Sequence, residues 1–218
     1  MSSFCQIACR GVSHTPESVH VDKLAHLGVC NTPLHWLFAD IHLKENPKYI
    51  NKVVAPTLDA VRSCSGFRTL PDYSFDTMPD DYAALVLIGG FGWLDEQEAD
   101  KVVPIVRHAI EKGIIVGAIC NAASFLAKHG FLNAVKHTGN GLEQLRLWGR
   151  DNYANAKGYV NEQAVSDNRI VTANGTGYLE FAKELLLLLK NDIPEQVEMF
   201  YRFNKLGFVV MMREMQQK

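Results

Sequence analysis

The chain has 218 residues, 47% of them hydrophobic and 21% charged, with a formal net charge of -2. That length encloses one large core but is short for two, and the balance is that of a soluble globular protein. It argues against a polybasic nucleic-acid binder or an acidic tail. The longest aliphatic run, Leu185 to Leu189, is far short of the ~20 residues that cross a bilayer. With no basic stretch and apolar core at the amino terminus, neither a membrane partner nor a secretory leader is expected. Five cysteines (Cys5, Cys9, Cys30, Cys64 and Cys120) form an odd set without a disulfide-rich composition, which points to reduced thiols and a cytoplasmic setting.

Residues 1 to 31 show no convincing period, although Cys5 to Cys9 fits a first strand. Cys5 and Cys9 have no second Cys or His pair at a partnering spacing, so no metal is expected there. His14, His20, His26, His35 and His42 recur at gaps of six, six, nine and seven, which match no ligand motif and read as surface or capping histidines. Thr32-Pro33 looks like a helix cap and first-turn proline, with Leu34, Leu37, Phe38 and Ile41 following at helical spacing. Lys52 to Leu70 reads as one strand and a hairpin, broken by Pro56, Asp59 and Ser65-Gly66.

From residue 83 short apolar runs alternate with helical patterns, the signature of βαβ units and a parallel sheet. Residues 83 to 88 are apolar throughout, as a strand covered on both faces should be, and Gly89-Gly90 ends them. A helix follows with Val102, Val106, Ala109 and Ile110 on one face, Gly113 as its stop, and Pro104 as a kink or a new start. Residues 114 to 119 form the next strand and run into Cys120, beyond which Ala122, Ala123, Phe125, Leu126 and Ala127 favour helix up to Gly130. Residues 169 to 173 give another strand, followed by a helix from about 178 to 190 and one opening at Pro194. The expected fold is a single-domain α/β protein with a mainly parallel sheet sandwiched by helices, and no linker or repeat divides it.

Cys120 therefore sits at a strand-to-helix junction. Such a position exposes the sulfur, fixes it on a sharp turn, and sets it in the positive field of a helix amino terminus, which favours thiolate over thiol. The turn needs small neighbours, supplied here by Ala118 and Ala122. The competing reading is an inert buried cysteine ending a core strand. Gly89-Gly90 closes the neighbouring strand, so a backbone N–H of Gly90 together with that of Asn121 could form an oxyanion hole. His137 lies one helix and one turn beyond Cys120 and is a candidate imidazole partner. A histidine in such a loop is, on the other reading, simply a surface residue.

Four stretches carry a family resemblance: 84 to 90, 116 to 122, Lys136-His137-Thr138, and 167 to 173 with Glu180-Phe181. Their order and spacing are similar to the ThiJ/PfpI family of the class I glutamine amidotransferase-like superfamily, over roughly residues 50 to 190, and within it to the branch described as intracellular protease or amidase. The resemblance implies a flavodoxin-like fold with segments 1–31 (divergent), 32–192 (the α/β domain) and 193–218 (a carboxyl-terminal helical extension). It implies Cys120 as nucleophile, His137 as its imidazole partner, Gly90 and Asn121 as oxyanion donors, and Gly89 and Trp93 as pocket residues, with Trp93 an aromatic wall or else a core or interface aromatic.

It also implies a hydrolase or amidase acting on a small-molecule carbonyl or amide without a cofactor, in a homodimer. Oxidation of Cys120 in a redox or stress-response role is the alternative, and a catalytically impaired relative is a third. Relatives whose cysteine is followed directly by histidine differ, because Asn121 stands there. Relatives also supply a glutamate from the first strand-helix connection, whereas residues 29 to 36 contain no carboxylate; no Asp or Glu oxygen is then expected on the Cys120 sulfur.

Overall fold

A computed structural model describes residues 6–11, 48–62 and 68–217. The histidine-rich stretch and the helix expected after Pro33 lie outside the described residues. Strands are β1 (Gln6–Gly11), β2 (Tyr49–Ala55), β3 (Val61–Arg62), β4 (Arg68–Thr69), β5 (Tyr73–Ser74), β6 (Ala84–Leu87), β7 (Ile115–Ile119), β8 (Ala164–Asp167) and β9 (Ile170–Ala173). Among the described residues, seven of them form one sheet in the order β5-β2-β1-β6-β7-β9-β8, and β3 with β4 forms the hairpin read between 52 and 70. The three central strands β6, β7 and β9 run parallel, pairing Leu87 with Ala118 and Ala118 with Thr172. Antiparallel pairs bracket this core, β1 on one side and the β8 hairpin on the other.

The unbroken apolar character of the central strands follows from burial on both faces. Ala84, Val86 and Ile88 point into a cluster with Phe181, Leu185 and Leu189. Leu85 and Leu87, at the alternate positions, join Val102, Val106, Phe125 and Leu126 on the opposite face. The helices are α1 (Glu96–Asp100), α2 (Val103–Glu111), α3 (Asn121–Lys128), α4 (Leu142–Gly149), α5 (Tyr178–Leu189), α6 (Pro194–Leu206) and α7 (Phe208–Gln216), of which α2, α3 and α5 supply all of those side chains but Val102, the residue before α2. Pro104 lies in the first turn of α2 and marks a new start. There its missing N–H costs nothing, because first-turn donors lack an intrahelical partner anyway.

Gly117 is required by packing. A Cβ there would stand 2.9 Å from Phe181 Cζ, so the bare backbone of β7 is what lets α5 settle onto the sheet. No helix among the described residues is long and apolar enough to cross a membrane.

Candidate functional site

Strand β7 ends at Ile119 and α3 begins at Asn121, which leaves Cys120 alone in the junction as the helix cap, at φ 61 and ψ -128. This is a sparsely populated conformation for a residue with a Cβ, and such residues cost of order 1–3 kcal/mol. It persists because both sides hold it. The Cys120 N–H donates to Ala173 O at 2.9 Å, continuing the β7–β9 pairing, and its carbonyl accepts from Ala123 N–H at 3.1 Å. Ala118 and Ala122, both fully buried, leave room for the turn, and the Cys120 side chain remains half-buried.

Two backbone segments meet the sulfur. A Cβ on Gly175, in the loop after β9, would lie 3.2 Å from Sγ, so glycine there lets the loop lie against the sulfur. From the other side the Asn140 amide Nδ2 donates to Sγ at 3.4 Å. Asn140 Oδ1 accepts the Gly175 N–H at 2.9 Å, and its Nδ2 also reaches Asn121 Oδ1 at 3.3 Å. Asn121 is bound in turn by Gln144 Nε2 at 3.0 Å and donates through Nδ2 to Gly90 O at 3.1 Å. The parallel β6–β7 register carries Gly90 and Asn121 side by side beyond the strand ends, and this last bond locks them together. Among the described residues neither the Gly90 N–H nor the Asn121 N–H has an acceptor; that of Asn121 is a first-turn orphan of α3. Gly90 is half-exposed, with open space where a Cβ would be, whereas Gly89 is buried behind it.

His137 does not reach the sulfur, which corrects its reading as the imidazole partner. It is fully buried, with Nδ1 2.9 Å from Val135 O and Nε2 2.6 Å from the Tyr153 hydroxyl. With both ring nitrogens engaged, none is left to take a proton from a thiol. Burial away from water pulls its pKa below the ordinary histidine value, partly offset by the Val135 carbonyl. The same burial pushes the Tyr153 hydroxyl up to about 12, with the nearby Arg146 opposing.

The surrounding Lys136-His137-Thr138 stretch is a clasp. Lys136 N–H donates to Asp167 Oδ2 at 2.7 Å, Thr138 N–H to Thr172 Oγ1 at 2.8 Å, and the His137 backbone exchanges bonds with Gly158 and Val160. Two residues later, Gly139 passes within 3.0 Å of Leu145 at its would-be Cβ, and this threading delivers Asn140 to Cys120.

Of the two readings of Trp93, its position fits the core aromatic and not the wall beside the cysteine. It is buried, donates from Nε1 to Ile88 O at 2.8 Å, and packs on Phe125 with ring centroids 4.6 Å apart. It also borders a cleft of about 540 Å³ with Leu94, Lys128, Trp148 and Arg150. Trp93 thus braces the glycine turn from the core side. Asn140 and Gly175 were not singled out from the sequence; the short spacing of Asn140 from the His137 motif was the available signal. The segment from which relatives contribute a glutamate lies outside the described residues.

A half-buried cysteine on a strained strand-to-helix turn, at the carboxyl ends of parallel strands with helices on both faces, defines a flavodoxin-like α/β protein built around an elbow cysteine. Known proteins agree with that class. The DJ-1/PfpI family matches residues 43–188, and the chain belongs to it. It is 39% identical to YdeA of Bacillus subtilis, named as an uncharacterised protease, over 150 residues that cover 68% of this chain and 73% of that protein. A second B. subtilis protein named in the same way, YoaZ, is 33% identical over 72% of this chain and 71% of its own length. The crystal structure of a ThiJ/PfpI family protein from Bacillus anthracis superposes with a TM-score of 0.70 at 31% identity, covering 78% of this chain and 82% of that one. A DJ-1 superfamily protein from Agrobacterium tumefaciens gives 0.62 at 34% identity, over 69% and 79%.

Proposed function

We propose that the chain is a thiol hydrolase of the amidase type, acting on small carbonyl or amide substrates with Cys120 as nucleophile. The observation that carries this reading is the Cys120 backbone at φ 61 and ψ -128, strain retained at a half-buried thiol in a strand-to-helix junction. The protease names of its two B. subtilis relatives point the same way.

In the proposed reaction the sulfur, as thiolate, bonds to the carbonyl carbon while the carbonyl π pair moves to oxygen. The Gly90 and Asn121 N–H groups hold that oxyanion. Collapse breaks the carbon–nitrogen bond, the amine leaves with a proton taken from water, and the hydroxide so formed adds to the thioester carbonyl and expels the sulfur, releasing the acid and regenerating the thiolate. A reducing compartment, the cytoplasm, suits a free thiol. A homodimer covers the apolar carboxyl-terminal surface, where Phe208, Val209 and Met215 are each about 60% exposed.

The test is turnover of small amides and activated esters by the wild type and by Cys120→Ala. Hydrolysis that the substitution abolishes supports the reading. Absence of turnover, together with Cys120 as the sole site oxidised by mild peroxide, would replace it with the redox role.

A further inference from the structure

Among the described residues the side-chain partner of the Cys120 sulfur is an amide, and its orientation is settled by backbone groups at both ends of a chain of amides. Gly90 O can only accept, so Asn121 must turn Nδ2 toward it and Oδ1 toward Asn140. Gly175 N–H can only donate, so Asn140 must turn Oδ1 toward it. Each anchor alone dictates that Nδ2 of Asn140 faces the sulfur, and the two agree. Gln144, with a hydroxyl as its other partner, can follow either orientation and is compatible with this one.

We propose that Asn140 is a positioning residue for Cys120: a fixed N–H donor that holds the sulfur as an anion without ever accepting its proton. The proposal rests on the reading of Cys120 as a reactive thiol and names what activates it. Hydrogen bonds to a charged acceptor favour the charged form and are stronger than neutral ones. A neutral amide cannot act as a general base, so Asn140 can only favour the charged sulfur and has no means of carrying its proton away. The buried and fully bonded His137 fits this division of labour.

The experiment measures the rate at which iodoacetamide alkylates Cys120 at neutral pH, located by peptide mass, with thiolate ultraviolet absorbance recorded in parallel and Cys120→Ser as the blank. Asn140 is exposed, so Asn140→Asp and Asn140→Leu should both fold, which melting curves check. The isosteric aspartate replaces the donor with an anion beside the sulfur and should slow alkylation by more than roughly tenfold; leucine, which merely removes the donor, should slow it less. A purely structural Asn140 would give the reverse order, the isosteric change being the milder, and that result overturns the proposal. Rates and absorbance unchanged in both variants overturn it as well. Wild-type Cys120 alkylating no faster than the other cysteines would instead defeat the reactive-thiol reading, and this inference with it.

Discussion

Cys120 and His137 lie on either side of α3 in the chain, yet the fold treats them in opposite ways. The cysteine is half-buried, strained at φ 61, and, among the described residues, touched by a single side-chain donor at 3.4 Å. The histidine is completely buried with both nitrogens matched. Chemistry needs spare valence and access, and the first residue has them. Stability needs every buried polar atom satisfied, and the second does that. A histidine near a cysteine in sequence is therefore no guide to function until its ring nitrogens are accounted for.

The contrast breaks most visibly at His137. Replacing it with leucine leaves the Tyr153 hydroxyl without its ring partner, while the Val135 carbonyl keeps the Asn155 amide at 2.9 Å. An orphaned buried polar group costs about 1–3 kcal/mol, so His137→Leu should lower the melting temperature by roughly 2–12 °C in a chain of this size. If His137 only clasps the loop, the variant that remains folded should still alkylate at Cys120. A stable variant with a dead cysteine would return His137 to the chemistry.

The opposite outcome is expected at the elbow. Cys120→Gly removes the steric objection to φ 61 and should raise stability by about 1 kcal/mol, a few degrees, while abolishing alkylation there. Stability falling instead would mean that the sulfur's packing outweighs the strain, as for an ordinary core cysteine.

The parts of this division that were legible beforehand are those written in short-range pattern. Strands β6, β7 and β9 fell within one residue of the runs at 83–88, 114–119 and 169–173, because strands buried on both faces must be apolar throughout. The Cys120 turn was legible because apolar strand, small residues and helix formers meet there. What escaped depends on contacts distant in sequence. Strand β8 is only half-buried and is defined by its pairing with β9. Helix α4 shows a weak apolar stripe, with Leu145 buried but Leu147 exposed. The roles of Asn140 and His137 were decided by the Tyr153 hydroxyl 16 residues on and by Gly175, 35 residues beyond Asn140, which no local window contains.

The smallest expected effect is a pH dependence of stability that separates the two residues without touching the chemistry. His137 binds its proton more weakly in the folded chain than in the unfolded one, where the value is about 6.5, because burial disfavours the imidazolium. His129, half-buried beside Lys128 and Arg107, is shifted the same way, with Asp100 opposing. Above about pH 6.5 both states are neutral at these rings, and neither contributes a slope. As the pH falls below that value the unfolded chain takes up protons that the folded chain refuses, so stability declines, and the decline levels off only once the folded-state values are passed. The melting temperature should therefore fall between pH 6.5 and 5, and His137→Leu, already less stable, should show a shallower fall over the same window. An equal slope in wild type and variant would assign the acid sensitivity to His129 or to carboxylates, and would mean that the His137 ring takes up its proton in the folded state about as easily as in the unfolded chain.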